Sequence, residues 1–161
     1  FFGGIFHPVG WQIGTFAHSP ALLILLIALY KVGGATFAFN VGTLAAFLLG
    51  YAGMFILARR WGFDRLLATL VAVLFAFCYM RWLRTGGHLN QLIGSSLIPW
   101  LLWALDRAWA GRDRFFRWFA VAGAIWGIAA AISFYFVWLG ALVVGAYALA
   151  HAWRRRRWLR V

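Results

Sequence analysis

Residues 36–60 read TFAFNVGTLAAFLLGYAGMFILARR, which is 23 uncharged residues followed by Arg59 and Arg60. A helix needs about 20 consecutive apolar residues to cross the hydrocarbon core of a bilayer. This stretch therefore predicts one membrane-spanning helix with a cationic end. Because apolar runs that end near arginines recur along the chain, we predict an all-α, polytopic transmembrane helical bundle.

The composition also indicates a lipid environment. Hydrophobic residues make up 65% of the chain and charged residues 11%, whereas soluble domains carry about 25% charged residues. The formal net charge is +12, but the arginines flank apolar runs and do not form a basic face among polar residues. We therefore predict the lipid bilayer as a partner and exclude nucleic acid.

Most of the 15 Lys and Arg residues lie in three clusters at predicted helix ends. By the positive-inside rule, such clusters are cytoplasmic and the segments between them cross the bilayer and return. This predicts a multi-pass protein whose basic loops and C-terminal tail are cytoplasmic. The clusters are Arg59, Arg60 and Arg65; Arg107, Arg112, Arg114 and Arg117; and Arg154, Arg155, Arg156, Arg157 and Arg160.

Five segments are predicted to span the membrane, within a transmembrane bundle over residues 36–161. Residues 118–153 contain no charged side chain and are too long for one span at about 1.5 Å per residue, so we predict a tight turn at Ser133–Tyr135. Pro99 predicts a kink because proline lacks the amide donor of a regular helix, and Ser95 or Ser96 is available to bond the backbone there. The predicted spans are 36–58, 66–83, 91–109, 117–132 and 135–153.

Residues 1–35 are predicted to be the tail of an outer loop. Within them, residues 20–32 form an apolar run that ends at Gly33–Gly34. Thirteen residues of helix rise about 20 Å, less than the roughly 30 Å hydrocarbon core, so we predict an interfacial helix. The chain starts at Phe1 without a methionine and stops at Val161 after a basic run, and we expect it to be a fragment of a longer protein.

The remaining cations suggest an anion site on the outer side. Arg81, Arg84 and His88 have the spacing i, i+3, i+7, which places them on one face if the helix continues that far. Asn90 can cap the next helix, whose positive dipole end then faces the same way, and Gln91 follows it. This arrangement suits a phosphate. The alternative is that the arginines reach lipid phosphates and His88 is an ordinary polar loop residue.

The sequence does not identify the catalytic residues. His7 and His18 are candidate loop contacts to a substrate, and no Cys/His spacing indicates a metal site. The three acidic residues, Asp64, Asp106 and Asp113, all fall on the predicted inner side. An enzyme acting on the outer side would therefore take its key carboxylate from outside this chain. We predict no cofactor in this chain. This prediction is compatible with a divalent metal bound elsewhere in the full-length protein.

Several segments together resemble bacterial polytopic glycosyltransferases of the GT-C type, including the YfhO-like branches. The most specific match is Gly87-His88-Leu89-Asn90 followed by Pro99, and the resemblance covers most of residues 20–153. The other matching residues are Phe39-Asn40, Gly50, Gly53, Leu57-Ala58-Arg59-Arg60, Leu74-Phe75-Ala76-Phe77, Arg81 and Ser133-Phe134-Tyr135.

This resemblance implies a polyprenyl-phosphate-linked sugar donor and sugar transfer on the extracytoplasmic face of a bacterial inner (plasma) membrane. It also implies that the first spanning helix and most of the first outer loop, which carries the catalytic Asp or Glu in that superfamily, lie outside this chain. By the same comparison, Arg81, Arg84 and His88 lie near the donor phosphate, with Asn90 and Gln91 beside them.

Two other functions are compatible with the sequence. A transporter or flippase for lipid-linked or anionic substrates would place ionisable groups near helix breaks in the membrane. A non-catalytic membrane subunit would tolerate loss of Arg81, Arg84 and His88.

Overall fold

The protein is described by a computed structural model that covers residues 20–86, 88–110 and 114–158. The long regular elements in this part of the chain are all α-helices, and the predicted all-α class is confirmed. In chain order the helices are α1 (Pro20–Arg60), α2 (Arg65–Ala76), α3 (Tyr79–Arg84), α4 (Leu89–Ser96), α5 (Ile98–Ala110), α6 (Phe115–Ile132) and α7 (Tyr135–Trp158).

Helix α1 is two helical arms joined at Gly34. Gly34 has φ 76° and ψ −173°, a backbone conformation that glycine adopts without steric cost. The break therefore falls where Gly33–Gly34 predicted it. The first arm contains the predicted helix 20–32, and the second arm contains the predicted span 36–58 and ends at Arg60.

Within the described residues, four helical stretches are long and apolar enough to cross a membrane, which is compatible with a multi-pass membrane protein. Their outward surface is largely apolar, as a lipid-facing surface must be: Phe116 is 85% exposed and Leu149 is 74% exposed. The four stretches are Leu26–Arg60, Arg65–Arg84, Phe115–Ile132 and Tyr135–Trp153.

The predicted span 91–109 is divided between α4 and α5, which meet at Leu97. The interruption lies two residues before Pro99, close to the predicted kink. The amide of Leu97 bonds the carbonyl of Gly94 at 3.1 Å, a tighter turn than that of an α-helix. The hydroxyls of Ser95 and Ser96 do bond a backbone carbonyl here, that of Leu92.

The predicted span 66–83 falls within Arg65–Arg84, a stretch long and apolar enough to cross a membrane, but it too is divided. Helix α2 ends at Ala76, Phe77 and Cys78 leave the helix, and α3 begins at Tyr79. Neither proline nor glycine lies at this break, so no local signal marked it. At the break, Arg81 donates a hydrogen bond to the carbonyl of Ala76, as described below.

Helix α1 packs against α2, α4 and α5, and α5 packs against α6. The turn between α6 and α7 lies at Ser133 and Phe134, as predicted, and Trp126 Nε1 ties the two helices by donating to the carbonyl of Phe136 at 2.9 Å. One apolar cluster comprises Ala46, Phe47, Leu89 and Leu92. A second comprises Leu101, Ala104, Leu105 and Ala122.

Candidate functional site

Arg81, on α3, has a side chain that points into the bundle and is 5% exposed. Its Nε donates to the carbonyl of Ala76 at 3.1 Å. Its Nη1 donates to Ser95 Oγ at 2.6 Å and lies 3.4 Å from the carbonyl of Leu92. Its Nη2 donates to the carbonyl of Ala46 at 3.0 Å and to Ser96 Oγ at 2.8 Å. A guanidinium has five N–H donors, and all five are used within the chain.

These contacts define what we call the Arg81 junction: Arg81 with Ala46, Ala76, Leu92, Ser95 and Ser96. It joins α1, the end of α2 and α4 around one side chain. The carbonyl of Ala76 belongs to the last turn of α2, where carbonyls have no intrahelical partner. Because Arg81 Nε bonds this carbonyl, it stabilises the helix break that the sequence did not predict.

Aromatic rings surround the guanidinium of Arg81. Its Cζ lies 5.1 Å from the ring centroid of Phe75 and 5.7 Å from that of Phe47, distances at which a cation is attracted to a ring face. Gly50 provides the space for the contact with α1, since a Cβ at this position would lie 2.9 Å from Arg81 Nη2. The junction thus balances a buried charge with neutral oxygens and ring faces, and no carboxylate of the described residues contacts it.

The predicted stripe of three cations on one helix face is not formed. Helix α3 ends at Arg84, which is half-buried, and His88 is exposed beyond a turn at Thr85 and Gly86. Arg81 points inward, and its N–H donors are all engaged, so it offers none to a phosphate. The structure does keep Arg84 and His88 adjacent, since the amide of His88 donates to the carbonyl of Arg84 at 3.0 Å.

The predicted cap at Asn90 is wrong. His88 occupies the N-cap position of α4 and makes no side-chain capping bond, whereas Asn90 already lies inside the helix. The helix begins early because Leu89 is buried beside Leu92 in the cluster with Phe47, and residues three apart share a helix face. Asn90 and Gln91 are half-buried in the first turn. His7 and His18 lie outside the described residues.

A second polar group lies at the end of the bundle that carries the basic clusters. Arg60 Nε donates to Asp106 Oδ2, and Tyr147 Oη donates to Asp106 Oδ1 at 3.0 Å. These residues line a cavity of about 580 Å³, which we call the Asp106 cavity. Its lining residues are Arg60, Trp61, Phe63, Asp106, Tyr147, Ala150 and His151.

The sequence did not reveal this cavity. Arg60 and Asp106 lie 46 positions apart, so helical spacing does not relate them. Their placement on the same predicted membrane side was the available signal. Across residues 20–86, 88–110 and 114–158, no group of three or more His, Cys, Asp or Glu side chains could hold a metal ion.

Comparison with known proteins identifies the family of the chain. No curated protein and no solved structure matches the chain. The family model described as "Domain of unknown function (DUF6311)" matches residues 2–161, nearly the whole chain. The seven helices and the two polar sites described above thus lie within that domain, and the chain belongs to the DUF6311 family.

Proposed function

We propose that this chain is the membrane-embedded part of a GT-C-type glycosyltransferase that uses a polyprenyl-phosphate-linked sugar on the extracytoplasmic face. The observation that carries the proposal is the pairing of Arg84 and His88 directly before α4. The first turn of a helix presents backbone N–H groups without intrahelical partners and the positive end of the helix dipole. Two side chains that can carry positive charge beside such a turn suit a phosphate.

Arg81 has a different role in this proposal from the one the resemblance implied. Its guanidinium contacts α1, α2 and α4 at once, so it fixes the position of α3 relative to α4. Arg84 and His88 stand at the two ends of the turn that connects those helices. We therefore assign Arg81 as a positioning residue and Arg84 and His88 as phosphate contacts, with Asn90 and Gln91 in the adjoining turn.

The catalytic carboxylate comes from outside this chain on this proposal. Asp64 caps α2, where its side chain accepts from the amide of Leu67 at 2.8 Å. Asp106 bonds Arg60 and Tyr147 at the arginine-rich end. The positive-inside rule makes that end cytoplasmic, so both aspartates lie on the wrong side for transfer at Arg84 and His88. On this proposal, a divalent metal would take its ligands from outside this chain as well.

The test is donor binding by the full-length protein. We expect Arg84→Gln and His88→Ala each to weaken binding of a polyprenyl-phosphate sugar by about tenfold, because each removes a hydrogen bond to a charged group. The matched control is Arg114→Gln, which removes one exposed positive charge at the other end of the bundle. If both variants bind the donor as tightly as the unmodified protein, the proposed phosphate site is wrong.

A transporter or flippase is the second candidate, and one observation favours it. The breaks at Phe77–Cys78 and at Leu97 flank Arg81, and transporters place interrupted helices and charged residues near the bilayer midplane. Reconstitution into liposomes distinguishes the two functions. Movement of a fluorescent polyprenyl phosphate between leaflets, without sugar transfer to any acceptor, would support transport over glycosyl transfer.

A further inference from the structure

We propose that the Asp106 cavity binds a phosphate-bearing anion at a site separate from Arg84 and His88. The cavity and the Arg81 junction both contact the second arm of α1, through Arg60 and Ala46 respectively. At 1.5 Å per residue these positions are about 21 Å apart along the helix axis. One phosphate group cannot contact both sites.

Arg60 supplies donors for such an anion. Its Nε bonds Asp106, and among the described residues this is the side chain's one hydrogen bond, so the N–H groups of Nη1 and Nη2 remain available. Both oxygens of Asp106 accept hydrogen bonds, from Arg60 and from Tyr147. The carboxylate therefore holds Arg60 in place, and its own charge is largely compensated.

His151 is the second observation that points to a ligand. Its ring stacks on Trp109 with centroids 4.8 Å apart and an interplanar angle of 15°. Its Nε2 is buried and has no hydrogen-bond partner within the described part of the chain. Buried polar atoms in folded proteins are nearly always bonded, if not to protein then to water or a ligand. Because Nε2 has almost no accessible surface, an anion in the cavity reaches it only when the ring of His151, a lining residue, turns toward the cavity. An oxygen of a bound phosphate would then satisfy this nitrogen.

The surroundings of the cavity favour an anion. Arg59 is exposed beside it and fixes the lining residue Phe63 by donating from Nη1 to its carbonyl at 2.7 Å. Arg107 lies near the same end, over the rings of Trp103 and Trp118. A surface with one dominant sign of charge concentrates ligands of the other sign.

The size of the cavity indicates a ligand larger than phosphate itself. Its volume of about 580 Å³ falls within the range of about 300–1,000 Å³ that holds small molecules. The aromatic walls from Trp61, Phe63 and Tyr147 can cover an apolar or glycerol-like body beside the phosphate. Two sources share this chemistry: the headgroup of an anionic phospholipid and a water-soluble phosphate compound.

The experiment uses the full-length protein in phosphatidylcholine nanodiscs, with and without phosphatidylglycerol. Native mass spectrometry measures the phosphatidylglycerol that the protein retains. Calorimetric titration with inorganic phosphate measures binding of a water-soluble phosphate. The first variant is His151→Phe, which keeps a ring to stack on Trp109 and removes Nε2. The second is Arg60→Gln. The matched control is Arg65→Gln, which removes an exposed arginine of the same cluster that does not line the cavity.

We expect either probe to bind the unmodified protein, and both variants to bind it about tenfold more weakly, as loss of a hydrogen bond to a charged group predicts. Arg65→Gln should bind as the unmodified protein does. Retained phosphatidylglycerol without a phosphate signal identifies the lipid as the source, and the reverse identifies a soluble compound. The proposal is overturned if neither probe binds, if both variants bind normally, or if Arg65→Gln weakens binding as much as they do.

Discussion

Arg81 and Arg60 are both held against other helices, but in contrasting ways. Arg81 is 5% exposed, and all its donors bond oxygens of the chain, none of them from a carboxylate. Arg60 has a side chain that is 32% exposed; it bonds one carboxylate and faces a cavity. The difference teaches that burial of an arginine does not by itself mark a binding site. What matters is whether donors remain for a ligand.

The largest expected effect comes from removing the central side chain of the Arg81 junction. Arg81→Ala deletes five hydrogen bonds and leaves a void between α1, α2 and α4. Losses of buried networks and large side chains typically lower the free energy of unfolding by about 3–5 kcal/mol. We expect little monodisperse protein in detergent and a much lower thermal denaturation midpoint.

The control for that variant is Arg84→Ala on the same helix, which removes the same charge from a half-buried position. We expect its midpoint to stay close to that of the unmodified protein. Equal stability of the two variants would contradict the structural role of Arg81.

The next largest fall in the denaturation midpoint is expected when one hydrogen-bond partner of Arg81 is removed. Ser96→Ala removes the hydroxyl that accepts from Nη2 and leaves a buried charged donor short of one bond. Because hydrogen bonds to charged groups contribute about 1.5–3 kcal/mol, we expect a clear drop in the denaturation midpoint. Ser133→Ala is the matched control, since Ser133 is 1% exposed and its Oγ lacks a partner among the described residues. It should leave the midpoint unchanged or raise it.

A third variant tests the space around the guanidinium of Arg81. In Gly50→Ala the new Cβ lies 2.9 Å from Arg81 Nη2, and Arg81 cannot move without losing hydrogen bonds. Overpacking of this kind costs about 1–3 kcal/mol, which should lower the midpoint in a thermal scan. In Gly123→Ala, by contrast, the Cβ meets nothing within 4 Å, so the gain in helix propensity should stabilise the protein. Equal effects of the two alanines would contradict the packing described for α1.

The smallest fall in the denaturation midpoint is expected for a substitution at the Asp106 cavity. Asp106→Asn breaks the ion pair with Arg60, and partly exposed pairs contribute about 1 kcal/mol or less. We expect a slight fall in the denaturation midpoint. Asp64→Asn changes the net charge equally, but asparagine caps a helix as well as aspartate does, so the midpoint should not change. If Asp106→Asn lowers the midpoint as much as Arg81→Ala does, the two sites do not differ in their contribution to stability.

The sequence predicted those features that depend on neighbouring residues. The break at Gly33–Gly34, the helix end at Arg60 and the turn after Ile132 each carry a local signal in glycine, charge or polarity. The break at Phe77–Cys78 carries none, because its stability depends on Arg81 and its contacts with Ala46 and α4. The site residues show the same division: helical spacing placed Arg81 on one face with Arg84 and His88, whereas hydrogen bonds to Ala46, Ser95 and Ser96 turn its side chain into the bundle.

The Asp106 cavity shows a second limit. Arg60, Asp106, Tyr147 and His151 come from three helices, and each is unremarkable in its own segment. Their proximity follows from how α1, α5 and α7 pack, which helical periodicity does not specify. Asn90 fails as a cap for a related reason, since burial of Leu89 moves the start of α4.

The hydrogen bonds of Arg81 bear on how the chain is inserted during synthesis. When residues 65–84 leave the ribosome, they carry a charge whose partners Ser95 and Ser96 have not yet been made. An arginine at the centre of a span costs about 2.5–3.5 kcal/mol on insertion into lipid. Arg81 lies three residues from the end of the stretch Arg65–Arg84, so its cost is smaller, and it is offset once α4 is present. We therefore expect α2 to α5 to enter the bilayer as one unit, with Arg81 shielded by the translocation machinery until Ser95 and Ser96 arrive.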